Sequence, residues 1–485
     1  MASTFKGEIL VASKIVDYLS SGLYESPAAC LKELINNSYD ADATRVDLFV
    51  KPDANRIIVS DNGHGMDAKD FVRNFSRISE SFKRESSEST TTNRAKIGKI
   101  GIGFIAANEI CDVMQIISTK RGSTEKIDVE INFAAMRSSK EDRRRESTSF
   151  AKADFVGRVS QAATAEHYTH IFLKEIRGPA QELLAGARAT AGNLSLYGLS
   201  SESLVTRLRD LEIRSWEDLD FYSKTMLEVA LNVPVRYADN WCPSRHSRKL
   251  SFFAETALQL NFVVNFDGTE LRKPTIFPAN ERSLVKTFDF VGKDVSFKSY
   301  FYVQHGVLKP QDLNGVLIRI RNAGVGRYDR GFLDFPNSVG TLFQRWISAE
   351  IWADDRLEPA MNIDRKTLRI THPAYVEMVE TFHVQFRQVL QRAREVLYEA
   401  PAKGQRKEKA TQELKLIERS LHSYAATTAK PGAIQNDPAT LEAALLKKYS
   451  ASELLDIVLR VADATLSKSQ KENFTSALMQ RLFQK

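Results

Sequence analysis

Along the chain the spacing of apolar residues changes period several times, and each change predicts an element. Leu31, Leu34 and Ile35 recur at helical spacing after Ser26-Pro27, a pair suited to cap a helix and open its first turn. The helix runs through LKELINNSYDA. Val46, Leu48 and Val50 then alternate with polar residues, and RIIVSD follows, predicting two short strands that lead into the turn cluster Asp61-Asn62-Gly63-His64-Gly65. A helix is predicted over Ala68–Ile78. After it comes SFKRESSESTTTNRAK, too hydrophilic to build a core and read as a lid. The glycine-rich IGKIGIGF opens a helix over Ile105–Ile110. Strands over Val113–Thr119, Lys126–Ile131 and Thr169–Leu173 complete one sheet, giving an α+β sandwich with helices on one face.

From Glu182 to Val235 the pattern is helical. Strand-like segments return between Ser251 and Ile320, in LNFVVNF, FKSYFYVQH and GVLIRIR. An apolar periodicity predicts a helix over Val339–Ile351, and helices dominate from Tyr375 onward. Residues 424–440 read as a linker by composition, and 441–485 as a helical tail of short amphipathic helices. There is no internal repeat.

Composition adds limits. The length of 485 residues predicts two to four domains, and 43% hydrophobic with 27% charged residues is ordinary for a globular protein. No apolar run approaches the roughly 20 residues that span a bilayer. The start, MASTFKGEIL, lacks a secretion pattern, so a cytoplasmic location and no membrane partner are expected. Cys30, Cys111 and Cys242 are scattered and read as buried small hydrophobes in a reducing compartment. A net charge of +7 permits an anionic partner without requiring one. The clusters Lys140–Arg145 and Lys403–Lys409 read as solvated surface or as anion contacts.

Three ordered motifs carry candidate chemistry. On the first helix, Glu33, Asn37 and Asp40 share one face while Leu31, Leu34 and Ile35 pack the other. A carboxylate and a carboxamide one turn apart suit a magnesium–phosphate site: the Asn37 amide oxygen is a hard neutral ligand, and Glu33, kept off the metal, polarises a water. The plain alternative is a polar face of an ordinary helix. Next, in DNGHGM, Asp61 at a strand end can accept a hydrogen bond from an exocyclic amine, Gly63 and Gly65 admit a flat base, and Met66 can lie against it. A glycine-containing turn explains the same residues. Last, Gly98-Lys99-Ile100-Gly101-Ile102-Gly103-Phe104 precedes a helix, where backbone N–H groups cradle phosphate. It is neither the dinucleotide fingerprint nor the GxxxxGK[ST] loop.

In this order the motifs resemble those of the GHKL ATPase superfamily of gyrase, HtpG-type heat-shock chaperones, histidine kinases and MutL, over roughly residues 1–180. The resemblance implies a GHKL-type α/β sandwich that binds ATP with Mg2+ and hydrolyses it, with a lid at about 67–97. It implies Glu33 as general base, Asn37 as magnesium ligand and Asp61 on the adenine amine with Gly63, Gly65 and Met66 beside the base. Gly98, Lys99, Ile100, Gly101, Ile102, Gly103 and Phe104 would line the phosphates, and Asp40 would be a lid or supporting contact. Thr169 fits the family's third box, although Tyr168 stands where that box has glycine. Asn74, Ser81 and Lys83 lie where relatives contact nucleotide from the lid.

DADATRVDL resembles MutL and MORC-type ATPases, whereas IGKIGIGFIA is similar to the HtpG branch. EPAMNIDRK (358–366) resembles the chaperone segment whose arginine reaches the terminal phosphate, which implies that Arg365 is catalytic. The expected organisation is therefore a helical connector at 181–245, a β-α transducer-like domain at 246–372 and a helical segment at 373–423. The expected function is an HtpG-like clamp that closes on ATP, with a protein client or partner and an ATP-dependent homodimer. The alternatives are a MutL/MORC-like nucleic-acid-associated ATPase and a nucleotide-gated scaffold. Neither a full chaperone nor a complete type II topoisomerase is expected from this length, nor a sensor kinase, whose phospho-acceptor histidine helix pair is not read upstream.

Overall fold

The computed structural model describes residues 3–12, 26–50, 55–75, 94–98, 103–138, 150–184, 193–210, 213–278, 280, 282–336, 344–362, 365–397 and 474. The chain divides into two units, Met1–Ala393 and Arg394–Lys485, and nearly all the described residues belong to the first. The expected linker at 424–440 lies outside the described residues, as does all but one residue of the 441–485 tail.

The first unit is mixed α+β and holds two sheets. The larger has nine strands in the order β1-β6-β5-β4-β7-β3-β2-β8-β9. These are β1 (Ser3–Ala12), β2 (Arg45–Phe49), β3 (Arg56–Asp61), β4 (Cys111–Thr119), β5 (Glu125–Asn132), β6 (Phe150–Gln161), β7 (Tyr168–Ile176), β8 (Val263–Phe266) and β9 (Thr269–Glu270). The second sheet has β10 (Ser283–Val291), β11 (Ser296–Gln304), β12 (Gly315–Ile320), β13 (Ala323–Asp329) and β14 (Ile347–Ala353), in the order β10-β11-β14-β12-β13.

The first helix spans Pro27–Asp40 and buries Leu31, Leu34 and Ile35 completely, as their spacing predicts. β2 and β3 form the antiparallel pair read from their alternation, with Val46 opposite Asp61. Helices at Ser201–Arg209 and Phe221–Asn232 lie within the stretch Glu182–Val235 whose pattern is helical, and Gly178–Leu184 reaches into its start. Cys30, Cys111 and Cys242 are free and buried. No helix among the described residues is long and apolar enough to cross a membrane.

Two expectations are corrected. Val339–Ile351 is not a helix throughout: Ile347–Ala353 is a strand, paired with β11 and β12. Buried on both faces, it loses the alternation that marks a half-exposed strand, and an apolar run of that kind reads equally as helix. FKSYFYVQH and GVLIRIR form β11 and β12 as their pattern predicts, while Ser244–Gln259, ahead of these segments, is a helix. The segment LNFVVNF does yield β8, yet β8 joins the first sheet, running parallel to β2 with Val46 opposite Val264.

Candidate functional site

The Pro27–Asp40 helix organises the site by touching a different partner at each turn. Glu33, one turn in, is buried at 5% exposure, and its Oε1 accepts no hydrogen bond. Two cations stand back from that oxygen at 3.9 Å, Lys32 Nζ and Arg365 Nε. A buried carboxylate oxygen without a donor is costly in a structural role, and it suits a group that must receive one from a reacting molecule.

Asn37 is exposed one turn later, and Asp40 ends the helix half-buried. The Asp40 carboxylate accepts the backbone N–H of Ile97 at 2.7 Å and of Gly98 at 2.6 Å. Burial pushes the Asp40 carboxyl up to about 6, against the pull of these two N–H donors and of Arg365. A side chain at position 98 would begin 2.9 Å from Asp40 Oδ2 and 3.7 Å from Asn37 Oδ1, so this glycine lets the loop lie on the helix's polar face.

The strand-end aspartate is held from the same helix. Asp61 is buried, accepts the Ser38 hydroxyl at 2.8 Å on Oδ2 and the Gly63 N–H at 2.8 Å on Oδ1, and sits opposite Thr169 across β3 and β7. Burial pushes its carboxyl up, and the Gly63 and Ser38 donors oppose that. Thr169 is buried with its hydroxyl 3.1 Å from that of Ser118, which also receives the Met66 N–H at 3.0 Å and donates to the Tyr168 carbonyl at 2.8 Å. Gly65 has φ +66°, and a Cβ there would meet the Thr119 carbonyl at 1.8 Å. No other residue fits that turn without rebuilding it.

The structure thus brings Glu33, Asn37, Asp40, Asp61, Gly63, Gly65, Met66, Gly98, Thr169 and Arg365 around one helix and the strand ends beside it. Gly103 opens a 3₁₀ helix, Gly103–Glu109, in place of the short helix expected at Ile105–Ile110, and Phe104 follows it. Lys83, Lys99, Ile100, Gly101 and Ile102 lie outside the described residues, as does Ser81. Asn74 is exposed on the Ala68–Phe75 helix.

Arg365 comes from the far end of the first unit. Its Nη2 donates to the Ile97 carbonyl at 2.6 Å, while Lys32 Nζ donates to the Arg365 carbonyl at 3.5 Å. Sequence reasoning missed a second arginine. Arg321, at φ +54°, donates to the Lys96 carbonyl and pairs with Asp355 at 2.6 Å and Glu358 at 2.9 Å. Residues 96–98 are therefore gripped on four backbone groups, two carbonyls by guanidiniums and two N–H groups by one carboxylate. Nothing in the pattern around Arg321 marks it, since it follows a strand like any turn residue.

The donor set fits a nucleotide with magnesium. It offers a buried carboxylate whose Oε1 accepts no hydrogen bond, an exposed carboxamide, a buried aspartate beside two glycines whose Cβ atoms would clash, and a glycine laid on the helix. Residues 24–169 match the model of the family described as histidine kinase-, DNA gyrase B- and HSP90-like ATPase. The chain is 35% identical over 115 residues to a proposed type II restriction enzyme, HgiDII, of Herpetosiphon aurantiacus, covering 24% of this chain and 18% of that protein. It is 27% identical over 145 residues to the chaperone protein HtpG of Ruthia magnifica (25% and 23%), and 39% identical over 70 residues to the DNA mismatch repair protein MutL of Gemmatimonas aurantiaca (14% and 12%). The chain thus spans less than a quarter of each of these relatives. With the motifs, their convergence on one helix and the family match in agreement, residues 24–169 are a GHKL-type ATPase domain.

Proposed function

We propose that this chain is a magnesium-dependent ATPase in which the second sheet region closes on the nucleotide, as an HtpG-like clamp. The observation that carries the reading is Arg365, which comes from beyond the second sheet to stand 3.9 Å from Glu33 while bonded to Ile97. An arginine so placed answers to both the base and the phosphate-side loop.

In this reading Asp61 accepts the adenine amine, and Gly63 and Gly65 leave room for the ring. Asn37 would hold magnesium, which would supply positive charge against the phosphates. The Glu33 carboxylate accepts a hydrogen bond from water and orients it toward the terminal phosphorus. As the water oxygen bonds to phosphorus, the bond to the bridging oxygen breaks and ADP leaves. Arg365 meets the charge that gathers on the phosphoryl oxygens, for which a planar, permanently charged guanidinium is suited. Asp40 keeps the Ile97–Gly98 segment on the helix throughout.

Glu33→Ala tests this directly: it should bind ATP and fail to turn it over. Equal loss of binding and turnover would remove the catalytic assignment. A nucleic-acid-associated ATPase is the second reading. It is favoured by the similarity to MutL and to the restriction-enzyme relative, and by the net charge of +7. DNA that binds with a steep salt dependence and stimulates turnover would select it over the clamp acting on a protein client.

A further inference from the structure

Between β12 and β13 the chain turns in two residues. Ile320 pairs with Ala323, and Arg321 and Asn322 between them stand at φ +54° and +66°. Two successive left-handed residues match the twist of the paired strands, and asparagine and glycine take such places readily. Arginine does not: its Cβ crowds the backbone there, a cost that persists only where surrounding contacts hold the residue. Those contacts are plain. The Arg321 side chain, 6% exposed, pairs with Asp355 at 2.6 Å and Glu358 at 2.9 Å, both on the 3₁₀ helix Asp355–Ala360 that follows β14. It also donates to the Lys96 carbonyl.

Residues 96–98 contain two successive peptide units, and each is held at both ends. In the first, the Lys96 carbonyl accepts from Arg321 and the Ile97 N–H donates to Asp40 Oδ1 at 2.7 Å. In the second, the Ile97 carbonyl accepts from Arg365 at 2.6 Å and the Gly98 N–H donates to Asp40 Oδ2 at 2.6 Å. A trans peptide points its C=O and N–H opposite ways, so turning either plane breaks two charge-assisted bonds at once. Asp40 belongs to the first helix, whereas Arg321 belongs to the turn of the second sheet. The groups that Arg321 bonds, Lys96, Asp355 and Glu358, have no assigned nucleotide contact, so any effect it has on the reaction passes through the segment.

We propose that Arg321 is a positioning residue for ATP turnover, which fixes the peptide unit ahead of Gly98 from the second sheet and so sets where Gly98 lies relative to Glu33 and Arg365. The two arginines divide the task. Arg321 orients the segment alone, while Arg365 orients the next unit and also stands beside Glu33. Nucleotide binding, supplied by the first helix and the Asp61 turn, depends on Arg321 much less than turnover does. The proposal rests on the ATPase reading.

The test compares the full chain with Arg321→Gly/Glu358→Gln. Glycine suits the φ of +54°, and the second change avoids stranding the largely buried Glu358 carboxylate without its cation. The unfolding midpoint should stay near that of the wild type. The KM for ATP and the affinity for a non-hydrolysable analogue should change only a few-fold. The kcat should fall about tenfold or more, the scale of a slight misplacement of reacting groups. Arg321→Lys, which keeps a charge beside Glu358, should recover part of that loss, and Glu358→Gln alone, with Asp355 still on Arg321, should keep most of the turnover. Deuterium exchange in a peptide covering residues 94–98 should accelerate in the double variant, with β4 and β5 unaffected, because Ile97 and Gly98 supply the held amides. Unchanged kcat, unchanged exchange over 94–98, or an equal loss of kcat in Glu358→Gln would overturn the proposal. Analogue affinity that falls as far as kcat would make Arg321 a binding residue and overturn it too. A wild type that turns over no ATP would instead defeat the ATPase reading and the role in turnover with it, and the exchange comparison would still decide whether Arg321 holds the segment.

Discussion

Arg319 and Glu350, on the neighbouring strands β12 and β14, meet through two hydrogen bonds of 2.7 and 2.9 Å, whereas Arg365 and Glu33 come no closer than 3.9 Å. The first pair is wholly buried and its carboxylate is saturated. Tyr237, Tyr328 and Trp352 donate to Glu350 at 2.6, 2.8 and 3.1 Å, and Thr275 at 3.3 Å. Arg319 also donates to the Leu231 carbonyl at 2.8 Å, tying the sheet to the Phe221–Asn232 helix. Although burial opposes ionisation, the guanidinium and its companion donors hold the Glu350 carboxyl below the usual range. Glu33 is buried too, and its Oε1 has no donor among the described residues. The same residue types would serve opposite ends on the proposed reading: where every lone pair is answered the pair fastens two elements, and where one is left open the pair is set for a reaction.

The largest effect should come from breaking the saturated pair. Glu350→Ala leaves Arg319 charged and buried without a counterion, which costs about 3–5 kcal/mol. Denaturant unfolding should show that loss, and a change under about 1 kcal/mol would mean the cluster is not a fastening. Glu33→Ala should do the reverse, leaving the unfolding midpoint nearly unmoved or raised while turnover drops about 10²–10⁴-fold. Destabilisation comparable to Glu350→Ala would erase the contrast between the pairs. Next, Arg365→Ala should lower turnover about 10²-fold or more, the scale of losing one transition-state donor, with nucleotide affinity changed only a few-fold. Unchanged turnover would end its catalytic role.

The smallest effect concerns pH. Asp40, pushed up to about 6, loses its charge as the medium is acidified through that value, and its grip on Ile97 and Gly98 weakens with it. Turnover should fall below about pH 6. The contribution of Asp40 to folding runs the other way. Its folded pKa lies above the unfolded one, so the stability it gives is full below the unfolded carboxylate value near 3.9 and is lost as pH rises through 6. Asp40→Asn can accept only one of the two N–H groups. It should be slower than wild type at neutral pH and lose the inflection. A wild-type profile flat between pH 5 and 7 would contradict the role given to Asp40.

The local features of this site were legible because they are written in short spacings. Leu31, Leu34 and Ile35 set the buried side of the first helix, and Glu33, Asn37 and Asp40 follow from the same period. Gly65 was legible as a turn glycine, though only the structure shows that the Thr119 carbonyl forbids any side chain there. Arg365 was reached by resemblance, its approach to Glu33 being invisible to any local pattern. Arg321 was missed for that reason: its value lies in reaching the Lys96 carbonyl, 225 positions away. Strands failed where periodicity fails. β14 is buried along nearly its whole length and imitates a helix, while β13 carries Gly324 and Gly326, which break its alternation. β1 was not read at all. It pairs with β6, where Phe155 covers Gly7 and Phe5 covers Gly157, a pattern that acquires meaning only once the register is known.

The central claim is that the first helix, the Asp61 turn and the Gly98 segment together hold ATP. The most direct test is a calorimetric titration of the full chain with a non-hydrolysable ATP analogue, with and without magnesium, beside Asp61→Asn. The account predicts one nucleotide site in the wild type, tighter when magnesium is present, and its loss or severe weakening in Asp61→Asn with the fold retained. A wild type that takes up no nucleotide, or an Asp61→Asn variant that binds it as well, would contradict the account.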